Sequence, residues 1–145
     1  MKGLGLIALA VVAPAAEPPV VYYTKSFPGS SPAYVAIRLD RNGQAEYRES
    51  AEDDNPLKFQ LSPKETEEVF SLVDKLGRFT RPLESNLKVA NTGIKTFRYQ
   101  SGTQTSEVKF NYSLDPDARL LWDFFERISE TERHLINLER AARYD

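Results

Sequence analysis

The sequence predicts an α+β fold: a two-layer sandwich whose mainly antiparallel sheet carries two helices on one face, in the order ββββαββα. Three observations point there. Two short turns, Arg41-Asn42-Gly43 and Gly102-Thr103, each join segments that alternate apolar and polar residues. Two proline-started helix signals, Ser62-Pro63 and Asp115-Pro116, each follow a run of such segments. Apolar residues make up 41% of the 145, including 8 Phe and 7 Tyr, enough to fill one packed core.

Glu17-Pro18-Pro19 reads as an extended lead-in, because proline disfavours helix in the residue before it. Val20 to Phe27, rich in Val and Tyr, suits a first strand. Pro28, Gly29, Ser30, Ser31 and Pro32 form a loop. Ala33 to Asp40 alternates, with Val35, Ile37 and Leu39 on one face and Arg38 on the other. A three-residue loop with Gly43 in the left-handed bulge position sets Leu39 opposite Ala45, Ile37 opposite Tyr47 and Arg38 opposite Glu46. A two-residue Asn-Gly turn would put Leu39 against Glu46, so the longer loop is expected. The third strand runs from Gln44 to about Ser50, and Leu57 to Leu61 is a short fourth.

Ser62 caps the first helix, Pro63 takes its first position and Glu65 closes a capping box. Val69, Phe70, Leu72, Val73 and Leu76 form its buried stripe, and Gly77 ends it. Arg78 to Gly93 is a linker with anchors at Phe79 and Leu83. Ile94 to Gln100 and Thr105 to Tyr112 make a hairpin around a type II′ turn at Gly102, pairing Phe97 with Val108 and Arg98 with Glu107. The parity of Phe97, Tyr99, Phe110 and Tyr112 places them in the helix-facing core.

The last helix, Pro116 to Arg143, would measure about 42 Å at ~1.5 Å per residue, against about 23 Å for a seven-residue strand. Its expected stripe is Leu121, Phe124, Ile128, Thr131, Leu135, Leu138 and Ala142, with Phe124 facing the sheet. About two or more turns should overhang, and the apolar residues there call for a partner: a second copy, another protein, or sequence beyond Asp145; the alternative is a helix that breaks near Ser129 and folds back on its own domain.

Residues 1–15 read as a signal peptide: Lys2, an apolar run from Leu4 to Val12, and Ala13-Pro14-Ala15 as the cleavage site. A single domain then occupies residues 16–145, exported to the periplasm or beyond. No stable membrane anchor is expected, because that run is too short to span a bilayer. Net charge is -2, which offers no basic field for nucleic acid.

Chemistry-bearing patterns are few. With no cysteine there is no thiolate nucleophile or cysteine-bound metal. The one histidine, His134, reads as a helix-surface residue beside Glu130 rather than a general base. Glu49, Glu52, Asp53 and Asp54 cluster in one loop, but their spacing is not that of a calcium loop. Ser85 and Lys88 match S-x-x-K without the partner motifs such an enzyme needs. No catalytic residue, cofactor or metal ligand is therefore assigned.

The strings Phe27-Pro28-Gly29-Ser30-Ser31-Pro32-Ala33-Tyr34, Arg81-Pro82-Leu83-Glu84-Ser85 and Phe110-Asn111-Tyr112-Ser113-Leu114-Asp115-Pro116 resemble those of a family of uncharacterised exported bacterial proteins. The resemblance implies export and carries no activity. The expected function is a non-catalytic exported binding or protein-interaction module. An inhibitor or accessory subunit of an envelope enzyme comes second, and a small carboxylate-based hydrolase third. The expected surfaces are the loop Pro28, Gly29, Ser30, Ser31; the outer sheet face with Arg38, Arg98 and Glu107; and the helix residues Leu135, Leu138 and Ala142. The partner is an unknown protein, or a second copy held through the C-terminal helix.

Overall fold

A computed structural model describes residues 17–144, so the expected signal segment lies outside the described residues. The central strand β1 (Val20–Ser26) pairs with β2 (Tyr34–Asp40) on one side and with β5 (Ile94–Ser101) on the other. Strands β3 (Gln44–Arg48) and β4 (Leu57–Gln60) extend the sheet past β2, and β6 (Gln104–Phe110) extends it past β5. The order is β4-β3-β2-β1-β5-β6, and every pair is antiparallel. Helices α1 (Pro63–Lys75) and α2 (Pro116–Tyr144) cover one face, giving the expected α+β sandwich in the order ββββαββα.

Both hairpins have the registers that side-chain patterning selects. Leu39 lies opposite Ala45, Ile37 opposite Tyr47 and Arg38 opposite Glu46. Phe97 lies opposite Val108 and Arg98 opposite Glu107. Gly43 holds φ +85°, and a Cβ there would meet Leu61 O and Gln60 Nε2 at 2.7 Å. Only glycine allows that turn and that close approach together. The nearly buried Asp40 braces the same turn: its Oδ1 accepts from the N–H groups of Asn42 at 2.8 Å and Gln44 at 3.1 Å.

Ser62 caps α1, its Oγ accepting from the Glu65 N–H at 3.1 Å. The Glu65 carboxylate accepts back from the Ser62 hydroxyl at 2.9 Å, a side-chain variant of the capping box. Past α1, Gly77, Arg78 and Phe79 follow one another at φ 65°, 55° and 65°. Left-handed backbone costs a non-glycine residue about 1–2 kcal/mol. Phe79 offsets this by full burial against Phe97, ring centroids 5.2 Å apart, which contributes about 1.5–3 kcal/mol. Leu83, the other expected anchor, is also buried.

The buried stripe of α2 differs from expectation. Ala118, Leu121, Phe125, Ser129 and Glu132 face the sheet. Phe125 is the core aromatic, stacked on Tyr23 at 4.9 Å and 4°. Phe124 is only half-buried, in the groove between the helices with Val69, Leu72 and Leu120. Adjacent phenylalanines lie about 100° apart around a helix, so periodicity fits either; the Tyr23 ring selects the second. The rotation also moves Thr131, Leu135, Leu138 and Ala142 out to solvent. A second difference is the end of β6. It stops at Phe110 because the Asn111 N–H is taken by Glu84 Oε1 at 3.0 Å and the Asn111 carbonyl by Lys95 at 2.7 Å.

Candidate functional site

Two lysines sit where apolar residues are expected. On β1, Lys25 shares the parity of Val21 and Tyr23; on β5, Lys95 shares that of Phe97 and Tyr99. The register places Lys25 and Lys95 directly opposite one another on the helix-facing side. Like charges so placed repel unless something lies between or above them. The first half of α2 supplies it. Glu126 accepts from the Tyr23 hydroxyl at 2.7 Å, the Trp122 indole N–H at 3.1 Å and the Lys25 ammonium at 3.2 Å. Lys95 is fully buried and donates to Thr92 Oγ1 at 2.6 Å and Asn111 O at 2.7 Å, with its Nζ 4.2 Å from the Trp122 ring centre.

The electrostatics follow from this packing. Burial alone would raise the Glu126 pKa, but the Tyr23, Trp122 and Lys25 donors outweigh it and hold the carboxyl below its ordinary value. Burial, reinforced by the Glu126 charge, raises the Tyr23 phenol. Burial and then Lys25 push Lys95 down to about 8. Near neutral pH an amine in that range holds an appreciable neutral fraction, the state in which a lysine is a nucleophile. Here, however, the ammonium is already engaged by a hydroxyl, a carbonyl and an aromatic face. The cluster is a closed network that ties α2 to β1 and β5 across the sheet.

The second half of α2 is built the other way round. Toward the sheet it turns Ser129 and Glu132, exposed by only 7% and 6%. The Ser129 hydroxyl donates to Phe125 O at 3.0 Å. Burial raises the Glu132 pKa and is the one cause of that shift. Beside it Tyr47 donates to Glu49 Oε2 at 3.1 Å, and Arg133 pairs with the same oxygen at 3.5 Å. Burial, then the Glu49 charge, raises the Tyr47 phenol. Away from the sheet this half presents Leu135 at 46% and Leu138 at 53% exposure. From Asn137 to Arg143 every side chain is exposed, about 10 Å of helix at ~1.5 Å per residue. A cleft of about 640 Å³ opens between this end and the β3–β4 loop, lined by Tyr47, Glu49, Asp53, Ile136, Arg140 and Arg143.

The surface residues singled out in the sequence fall in separate places. Pro28, Gly29, Ser30 and Ser31 are exposed in the β1–β2 loop. Arg98 and Glu107 share a shallow depression of about 250 Å³ on the outer sheet face with Tyr22, Thr24 and Thr96. Arg38 lines a neighbouring depression with Glu46, Lys58 and Gln60. Leu135, Leu138 and Ala142 lie on the outward side of α2. His134 is exposed on the same helix. Glu49 is drawn to Tyr47 and Arg133, while Asp53 accepts from the Asn55 N–H at 2.9 Å within its own loop. Among the described residues, no three His, Cys, Asp or Glu gather as metal ligands, and no helix is long and apolar enough to cross a membrane.

The inward cluster of Lys25, Lys95, Trp122 and Glu126 was missed in the sequence reading, although parity was the signal for half of it. Lys25 follows Tyr23 by two, and Lys95 precedes Phe97 by two. Their partner on α2 follows from helix rotation, which periodicity alone leaves open. Comparison with known proteins finds no family model and no curated relative that matches this chain.

Proposed function

We propose that this chain is an exported, non-catalytic protein-interaction module whose docking element is the second half of α2. One observation carries the reading: the inversion of that helix. Its first half turns Ala118, Leu121 and Phe125 inward, and its second half turns Ser129 and Glu132 inward while Leu135 and Leu138 face solvent. A helix that only covered its own sheet would keep apolar residues at the inward positions that Ser129 and Glu132 occupy. Leu135, Leu138 and Ala142 are spaced three and four apart, the seam of a helix that meets another helix. The partner is therefore an amphipathic helix of another protein, laid along that seam. Export is supported by the charge, apolar run and small residues of positions 1–15.

The test is capture from an envelope fraction. The immobilised chain should retain a partner that a Leu135→Asp, Leu138→Asp double variant loses, while circular dichroism shows both folded. The same proteins retained by both would overturn the reading.

A further inference from the structure

The two edges of the sheet are finished differently. The β4 edge is four residues long and follows Pro56, features that blunt an edge against other strands. The β6 edge is seven residues long. Its hairpin closes with Ser101 opposite Gln104, so that pair and every second pair after it exchange hydrogen bonds within the hairpin. Thr105, Glu107 and Lys109 consequently turn their N–H and C=O groups away from β5. No backbone or side-chain group among the described residues bonds to them there. One step on, the edge is sealed. Glu84 accepts from the N–H of Asn111 at 3.0 Å and of Tyr112 at 3.3 Å, and Lys95 takes the Asn111 carbonyl. An unsealed stretch beside a sealed one is a defined docking strand.

We infer that the β6 edge pairs antiparallel with the β6 edge of a second copy of this chain, Glu107 of each copy facing Lys109 of the other. Side-chain charge selects both the occupant and the register. Centring the two-fold axis on Glu107 would set two carboxylates face to face, a destabilising pair. Shifting it toward the turn, onto Ser106, would set Glu107 against Thr105 and Lys109 against Thr103, so neither charge would meet its opposite. Centring it on Val108 pairs Glu107 with Lys109 twice and lets each pair exchange both of its backbone hydrogen bonds. The outer face then carries Arg98, Glu107 and the second copy's lysine in alternating charge, since Arg98 already lies opposite Glu107. Within one copy Glu107 and Lys109 are held only loosely, 3.8 Å apart with side chains 45% and 66% exposed, so little is lost when they change partners. On the helix-facing side the half-buried Val108 meets its own symmetry mate, covering apolar surface. In this register Thr105 of the second copy falls opposite Asn111, so pairing is confined to residues 107–109 and the second strand leaves the edge at Ser106, short of the Glu84 seal. This inference is independent of the helix seam on α2.

Sedimentation equilibrium of the full chain tests it by charge reversal. The wild type should be a dimer. Lys109→Glu and Glu107→Lys should each weaken it by about tenfold or more, because each sets like charges opposite one another twice. The double reversal should restore it. Lys109→Pro should also give a monomer without unfolding, because the N–H it removes faces outward and is unbonded. A wild type that stays monomeric to about 1 mM overturns the inference, as does a dimer that survives both single reversals. A dimer abolished by Leu138→Asp but untouched at Glu107 and Lys109 also overturns it, and assigns self-association to α2.

Discussion

The two halves of α2 solve the same problem in opposite ways. Both cross one sheet and both place a glutamate against it, Glu126 in the first half and Glu132 in the second. Glu126 meets three donors and is held ionised below its ordinary pKa. Glu132 exposes less surface but meets no such donors among the described residues, and burial pushes it up. The first half thus uses a charge to bind the domain together. The second half carries a charge that costs stability, while its leucines face water. A helix that served packing alone would keep apolar residues against the sheet throughout, and the proposed docking role accounts for the change from Phe125 to Ser129 and Glu132.

Aromatic truncation should separate the halves most strongly. Phe125 is fully buried between Tyr23 and Phe97, so Phe125→Ala should cost about 3–5 kcal/mol. The half-buried Phe124 should lose only about 1–2 kcal/mol in the same substitution. Urea denaturation measures both, and equal losses would mean that the helix is rotated from the orientation described.

The glutamates should then show opposite pH dependence. Removing the Glu126 charge in Glu126→Gln disrupts charge-assisted hydrogen bonds and should cost about 1–3 kcal/mol at pH 7. Because the folded pKa is depressed, the wild-type advantage is complete above the ordinary glutamate range and fades as pH falls through the folded value. Glu132 runs the other way. With its folded pKa raised, the protein loses stability as pH climbs from the ordinary glutamate value through the raised one. Glu132→Gln should therefore stabilise the protein at pH 7 by about 0.5–1 kcal/mol and lose that advantage in acid. Thermal melts between pH 3 and pH 7 would show the two difference curves sloping in opposite directions. Parallel slopes would remove the contrast.

Lys95 extends the test to alkaline pH. Its folded value of about 8 lies below the ordinary 10.5, so the unfolded chain binds more protons between them and stability rises with pH across that window. Relative to Lys95→Met, the wild type should gain about 1–3 kcal/mol from pH 8 to pH 10.

Much of the fold was legible because its signals are local. The loop at Gly43, the turn at Gly102, the Ser62 cap and the Asp115 start each depend on a few neighbouring residues, and each pairs or caps as expected. The α2 stripe was not legible, because Leu121 followed by Phe124 and Leu121 followed by Phe125 are equally helical spacings. The choice between them rests on Tyr23, about a hundred residues away in sequence, and on the groove that α1 offers to Phe124. The site shows the same division. Strand parity pointed Lys25 and Lys95 inward, but only the tertiary placement of Trp122 and Glu126 shows how their charge is tolerated.

The smallest expected effect makes the sharpest distinction between the halves. Ile136 and Leu138 are two residues apart, beyond Glu132 on the same helix. Ile136 is half-buried, packs against the edge of the core and lines the cleft beside Tyr47. Leu138 is 53% exposed and falls within the overhang. Ile136→Ser should therefore cost about 1–2 kcal/mol through lost apolar burial. Leu138→Ser should stay within about 0.5 kcal/mol, the range of surface substitutions. Urea denaturation of the isolated chain measures both. If Leu138→Ser costs as much as Ile136→Ser, the helix end is folded onto its own domain and its leucines serve the core. If Leu138 is silent in the isolated chain yet Leu138→Ser weakens capture of the proposed partner, that leucine contributes to binding and not to folding.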